Sequence, residues 1–445
     1  MQKILLPFLF LFTVAQAQWQ NVGPIGFSAG AVDDLTLNID ESDVPYVAYM
    51  DDSNSKKASV MKFNGTSWVY VGTPGFSAGM AAHIASALDN SGNLYVVYGD
   101  VSNGQKATVM KFNGTSWVYV GMPGFSGGRI GHVGISFDNA GNPWIAYMDS
   151  SVNSKATVMK YNGTSWVTVG VQGFSTGKAF HMAIKFDRLG TPYVAYADSG
   201  TSYKARVMKF NGTSWVNVGT PGFSASDADY ISVAFDPSNN MYITYVNDSN
   251  TQRATVMKFN GTSWVHVGLS GISSGGVSNT FISLDAAGVP YIAYSDYNQD
   301  YKAVVKKFNG TSWELVGTAG LSDGIVQYCG LAHDSQDTIY LTYGDVAIGR
   351  KLRVMKFVQA PAGTHDLSAA GFTMYPNPAN GFVTLGLINK TNAGVIITDV
   401  LGKTVLSSQM TAAEQNVDIS SLNTGIYFVK VTANGQQSTK KLVVK

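Results

Sequence analysis

His83, His132 and His181 recur at intervals of 49 residues, and the same place in the periodic pattern holds Asp34 before them and Tyr230, Asn279 and Tyr328 after them. Each closes a segment that differs in every unit and stands just before the unit's first strand. All seven are polar or aromatic. Three adjacent imidazoles could bind a metal, and a collar of His, Tyr, Asn and Asp could hydrogen-bond a glycan. The same side chains could also simply fill a channel entrance and meet water; that reading weighs most, then the ligand site, then the metal. Arg129, Lys178, Asp227 and Asp229 stand in the same varied segments and could tune a rim. No Gly-x-Ser-x-Gly elbow, His-Glu-x-x-His or phosphate loop is present, so no catalytic residue, cofactor or metal is assigned. A carboxylate pair of the glycosidase kind would have to come from acids unique to one blade, namely Asp33, Asp34, Asp227, Asp229 and Asp323.

The elements that must position these residues come from a repeat. Asn64-Gly65-Thr66-Ser67-Trp68 returns at Asn113, Asn162, Asn211, Asn260 and Asn309 without an insertion, the mark of a repeat architecture. Asn-Gly between two runs of β-formers predicts a type I′ turn with both central residues at positive φ, pairing Val60 to Phe63 with Trp68 to Val71. Pro45 to Tyr49 is short and almost wholly apolar, which suits a strand covered on both faces. Leu35 to Ile39 supplies another strand and stops at Asp40 in a turn. Four short antiparallel strands per period predict a β-propeller blade.

Counting fixes the size of the ring. A Tyr-x-Asp marker ends the second strand at Asp51, Asp100, Asp149, Asp198, Asp296 and Asp345, with Asn247 in the fifth unit, giving seven units. The Asn-Gly hairpin occurs only six times. Trp19-Gln20-Asn21-Val22-Gly23 lies one period before Trp68 and has no hairpin partner ahead of it. It is predicted to close the ring as the outermost strand of the seventh blade, beside Leu352 to Phe357, removing an edge that invites aggregation. With the Trp strand outermost, the first strand lines a central channel, and the seven varied residues ring one mouth of it.

Residues present in every unit serve the blade. Asp40, Asp89, Asp138, Asp187, Asp236, Asp285 and Asp334 precede turns, where a carboxylate accepts backbone amides. The Tyr-x-Asp carboxylates stand six residues before Lys57, Lys106, Lys155, Lys204, Arg253, Lys302 and Lys351, and an Asp-to-Lys bridge at each blade tip is the expectation. Each Trp is expected to wedge between blades. The single Cys329 cannot form an internal disulfide and is expected in the first strand of blade seven as a small apolar residue.

Met1 to Ala17 reads as a secretory signal, with Lys3, an apolar run from Ile4 to Val14, and Ala15-Gln16-Ala17 as a cleavage site; the run is too short to span a bilayer, and no other segment reads as transmembrane. With 45% hydrophobic and 13% charged residues, residues 18–358 can bury a large core. A net charge of +1 argues against nucleic acid as a partner. Residues 359–371 lose the period and read as a linker. From residue 372 to 445, short strands separated by Gly and Asn turns predict a small Ig-like β-sandwich.

Within that last segment, Tyr375-Pro376-Asn377-Pro378-Ala379, Thr398-Asp399-Val400-Leu401-Gly402-Lys403, Asp418 through Leu422 with Thr424-Gly425-Ile426-Tyr427, and Lys440-Lys441-Leu442-Val443-Val444-Lys445 resemble the type A sorting domain of the type IX secretion system of Bacteroidetes. The resemblance implies export across both membranes, the type IX machinery as partner through this domain, and a secreted or outer-surface destination. It says nothing about the cargo.

The expectation is therefore an all-β chain, a seven-bladed propeller followed by a sorting sandwich, acting as a non-catalytic binding or scaffold protein for a polysaccharide or surface partner at the channel mouth. The alternative is a secreted glycan-active hydrolase or lyase using rim carboxylates or a His-bound metal.

Overall fold

The computed structural model describes residues 18–248, 251–358, 372–387, 393–433 and 436–445; the signal-sequence and linker readings fall outside them. The chain divides into two compact units, one of them Gln18–Val358.

That unit is a seven-bladed propeller. Blade one consists of Val32–Ile39, Pro45–Asp51, Lys57–Phe63 and Trp68–Tyr70, hydrogen-bonded in that order, and the next five blades repeat it. In the seventh, Val326–His333, Ile339–Asp345 and Lys351–Val358 are completed by Gln18–Asn21. Trp19 pairs with Phe357 and Asn21 with Met355, so the ring closes through its first strand as expected. The innermost strands touch in cyclic order, the first also meeting the seventh.

The apolar second strand is buried on both faces, and its central tyrosines, from Tyr49 to Tyr343 at 49-residue steps, are all buried. The tryptophan of each outermost strand lies between blades and donates its indole N–H to a valine carbonyl of the preceding blade: Trp68 to Val22 at 2.6 Å, Trp117 to Val71 at 2.7 Å, and so on to Trp19 to Val316 at 2.7 Å. Phe27, Phe76 and Phe125 stack on Trp68, Trp117 and Trp166 with centroids 4.0 to 4.5 Å apart. A glycine is required beneath each indole. At Gly72, φ is +73° and a Cβ would meet Trp117 at 3.0 Å.

Three local expectations need correction. The Asn-Gly hairpin is a four-residue loop, with Phe63 paired to Trp68. Gly65 takes positive φ but Asn64 does not; instead Asn64 Oδ1 accepts the amides of Thr66 and Ser67 at 3.0 and 2.8 Å. Asn is there as a side-chain acceptor rather than as a left-handed residue.

No ion pair among the described residues joins Asp51 to Lys57 or its equivalents. Asp51, Asp100, Asp149, Asp198 and Asp345 are fully buried, and each accepts a backbone amide of the short 3-10 turn that follows it. The other oxygen takes a hydroxyl of the third strand, Ser59 at 2.8 Å or Thr108 at 3.1 Å. In blades four and seven an arginine replaces that hydroxyl, with Arg206 2.8 Å from Asp198 and Arg353 3.3 Å from Asp345. The third correction is that the first strand begins earlier than Leu35, at Val32.

The turn aspartates behave as expected. Asp40 accepts the amides of Ser42 and Val44, both at 2.9 Å, and Asp89 those of Ser91 and Asn93. Cys329 lies in the first strand of blade seven, where burial pushes its thiol up to about 12.

The second unit is a sandwich. Phe372–Asn380, Phe382–Leu387 and Glu414–Asp418 form one layer and Ala393–Thr398, Thr404–Met410, Gly425–Ala433 and Gln436–Val444 the other, the two joined where Ala379 pairs in parallel with Val444. Phe372, Leu385, Val395, Ile397, Val429 and Leu442 fill the core between them.

Candidate functional site

The early start of the innermost strand changes where the varied residues sit. Asp34, His83, His132, His181, Tyr230, Asn279 and Tyr328 are each the third residue of that strand, and the ladder breaks there in every blade; in blade two it runs from Ala82 paired with Gly99 to Ala85 paired with Val97. All seven have left-handed backbones, with φ between +39° and +56°. Such a conformation is uncommon outside glycine, and a β-bulge is a device for re-aiming a side chain. Seven bulges in register hold these residues round one mouth of the channel.

A second collar surrounds the first. Lys56, Gln105, Ser154, Tyr203, Gln252, Tyr301 and Arg350 also take positive φ. Their carbonyls accept the amide that opens the next innermost strand, for example Ala81 to Lys56 at 2.9 Å and Val32 to Arg350 at 3.0 Å. Sequence reasoning missed this collar, although its varied composition beside the invariant Lys or Arg was a usable signal.

The two collars are polarised. Over blades two to five the rings form a continuous arc: His83 and His132 have centroids 5.8 Å apart, His132 and His181 4.9 Å, His181 and Tyr230 5.4 Å. Phe180 meets His132 edge-on at 5.6 Å and Tyr203 at 5.5 Å; Tyr297 and Tyr301 follow at 4.6 Å. Tyr203, Tyr230 and Tyr301 stay 45%, 39% and 46% exposed. Over blades seven and one the mouth is ionic, with Arg350 reaching Asp33 at 2.6 Å and Asp52 at 3.1 Å and Lys56 reaching Asp33 at 3.6 Å.

Asp34 accepts the His83 amide at 3.0 Å, and burial raises its carboxyl against the opposing pull of His83. Tyr328 feels the charges of Asp34 and Asp33, although burial is the larger cause of its raised phenol. The Asn279 side chain bonds its neighbour Ser278 at 3.2 Å and stands outside the aromatic arc. Of the rim acids, Asp229 sits 3.2 Å from His181 Nε2, whose hydrogen bond holds its carboxyl below the usual range. Asp323 is taken up by Arg353, and Asp227 bridges to Lys204 through the backbone. The imidazoles do not converge on a point: among the described residues no group of three or more His, Cys, Asp or Glu could hold a metal ion.

Burial holds His132 down to about 4, with the neighbouring charges of His181 and His83 adding to it and Asp229 opposing. Below the ordinary value of 6.5 the unfolded chain binds a proton that the folded imidazole refuses. This contribution to stability is whole above pH 6.5 and is lost as pH falls toward 4. Urea midpoints from pH 7 to 4.5 are therefore expected to fall more steeply for the wild type than for His132→Gln, by on the order of 2 kcal/mol; parallel curves would refute a neutral, desolvated His132.

The sandwich explains its own motifs. Asn377 donates to the Lys441 carbonyl at 2.7 Å and accepts the Val443 amide at 2.9 Å, and the Lys445 amide reaches Ala379, so Tyr-Pro-Asn-Pro-Ala latches the last strand. Asp399 closes its turn through the amides of Leu401 and Lys403. Residues 373–445 match the family model of the Secretion system C-terminal sorting domain. The second unit is a type IX sorting domain. This sorting domain marks the chain for secretion or outer-surface attachment and for the type IX machinery as a partner. Among the described residues no helix is long and apolar enough to cross a membrane.

No curated protein matches the chain. Among solved structures, PorZ, a surface component of the type IX secretion system of Porphyromonas gingivalis, is similar at 16% identity and a TM-score of 0.48 over 95% of this chain, which spans 61% of that one. An ulvan lyase bound to GlcA(1-4)Rha3S is similar at 12% identity and a TM-score of 0.50, over 76% of this chain and 96% of that one. A protein of unknown function from Dyadobacter fermentans gives 10%, 0.45, 63% and 95% in the same terms. At these identities the ulvan lyase likeness is one of fold.

Proposed function

We propose that the propeller is a non-catalytic module that binds a carbohydrate at the bulged mouth. The observation that carries this reading is the polar aromatic arc, in which three exposed tyrosines flank imidazoles fixed at left-handed positions. Ring faces offer apolar area to a pyranose while phenol and imidazole groups meet its hydroxyls. Keeping large aromatics half in water and the backbone in a sparsely populated region costs stability that a ligand site would explain.

The second reading, a hydrolase or lyase, draws on the His181–Asp229 contact at 3.2 Å, which could serve as a proton-transfer pair. One experiment separates them: incubate the full chain with a panel of polysaccharides, scoring retention and release of shorter products. Retention without cleavage, weakened roughly tenfold by Tyr230→Ala or Tyr203→Ala, is the expected result. Cleavage abolished by Asp229→Asn would establish the enzyme instead, and retention unchanged in both tyrosine variants would move the site elsewhere.

A further inference from the structure

The far end of the channel differs from the mouth just described. A cavity of about 700 Å³ runs between the innermost strands, from Ile84, Val133, Met182 and Ile231 just past the bulges down to Lys185, Ser283 and His333 at that far end. Its lining holds Lys185 and Arg188 and not one carboxylate.

Register makes Lys185 conspicuous. Seven residues stand at one level, each paired with the second residue of its blade's second strand. They are Asn38, Ala87, Ser136, Lys185, Ala234, Ser283 and Ala332. Six are small or neutral, and only blade four places a long cation in the tier. Two enclosed arginines elsewhere are neutralised, Arg206 by Asp198 and Arg353 by Asp345. Neither Lys185 nor Arg188 has an ion-pair partner among the described residues. Lys185 keeps access to water through the channel while protein surrounds it; this enclosure lowers its ammonium, and no carboxylate opposes the shift.

Opposite Lys185, His333 supplies a second unsatisfied group. Its Nδ1 lies 2.9 Å from Ser283 Oγ, and its Nε2 is buried without a partner. With the serine hydroxyl donating to Nδ1, Nε2–H is left as a donor lacking an acceptor. A cavity lined by two cations without ion-pair partners and by no carboxylate is complementary to an oxyanion; the turn aspartates Asp285, Asp334 and Asp337 act on His333 from outside that lining, which leaves Lys185 as the charge that faces a ligand.

We infer that this end of the channel is an anion-binding site, separate from the bulged mouth, that takes a carboxylate or sulfate group with Lys185 as its principal charge. The group could arrive on an acidic sugar or as a free inorganic ion, and the test distinguishes the two. The full chain is titrated with sodium sulfate, with glucuronate and with neutral glucose at constant ionic strength set by chloride, and followed by calorimetry and thermal melting. Sulfate or glucuronate is expected to bind saturably and raise the melting temperature, with glucose inert. Lys185→Met is expected to melt no lower than wild type without ligand and to lose the response at least tenfold, while Lys185→Arg retains it. Glucuronate tighter than sulfate identifies an acidic sugar, and the reverse a free inorganic ion. The inference is overturned if neither anion acts on the wild type beyond the chloride control, or if Lys185→Met responds as the wild type does.

Discussion

Deleting residues 18–23 is expected to unfold most of the propeller rather than trim it. The segment completes the seventh sheet through four ladder pairs, places Trp19 against Phe357 at 5.5 Å and ties it to Val316 of blade six, and buries Val22, whose carbonyl receives the Trp68 indole of blade one. Losing a packed Trp costs about 3–5 kcal/mol, and each ladder bond adds about 1 kcal/mol. The sum approaches the whole stability of an ordinary domain. The strand Lys351–Val358 would also be left as a bare edge, so concentration-dependent association should accompany the fall in melting temperature. Trp19→Ala alone is expected to cost about 3–5 kcal/mol in urea unfolding. A deletion variant that melts at the wild-type temperature would end the closure account.

The second large effect is expected at Asp198. It is fully buried and accepts from Thr176 at 2.7 Å, the Gly177 amide at 2.8 Å, the Gly200 amide at 2.9 Å and Arg206 at 2.8 Å. These bonds outweigh the opposing effect of burial and hold its carboxyl below the usual range. Asp198→Ala strands the enclosed Arg206 guanidinium and should cost about 3–5 kcal/mol. Arg206→Thr should cost far less, because blades two and three already satisfy Asp100 and Asp149 with Thr108 and Thr157. If the two variants lose equal stability in urea, the charge is not what the site must balance.

The fold was legible because repetition multiplies weak signals. One apolar run such as Pro45 to Tyr49 does not distinguish a strand from a buried helix; seven at a fixed step, with Trp19 lacking a hairpin partner, fix blade count and closure. What failed was local and chemical. Asn64 tolerates positive φ and also accepts amides, and the residue type alone does not say which is used. Asp51 was assigned to lysine because charge is visible in sequence, whereas the 3-10 turn and the Ser59 hydroxyl that bind it are not. The bulges left a trace that was not read: Asp34, His83, His132, His181 and Asn279 are of the types that most readily take left-handed backbone. Tyr230 and Tyr328 carry no such mark, and only the ladder reveals them. Lys185 sits inside a strand that reads as blade, and its isolation depends on what the other six blades place beside it.

A bulged residue lies outside the ladder, and the pairing resumes in the same register whatever its side chain. Aspartate in blade one, histidine in blades two to four, tyrosine in five and seven and asparagine in six stand over one shared architecture. Side-chain identity and framework are thereby uncoupled. The mouth is a set of seven exchangeable positions, so its side-chain chemistry can change one blade at a time while the ring beneath stays the same.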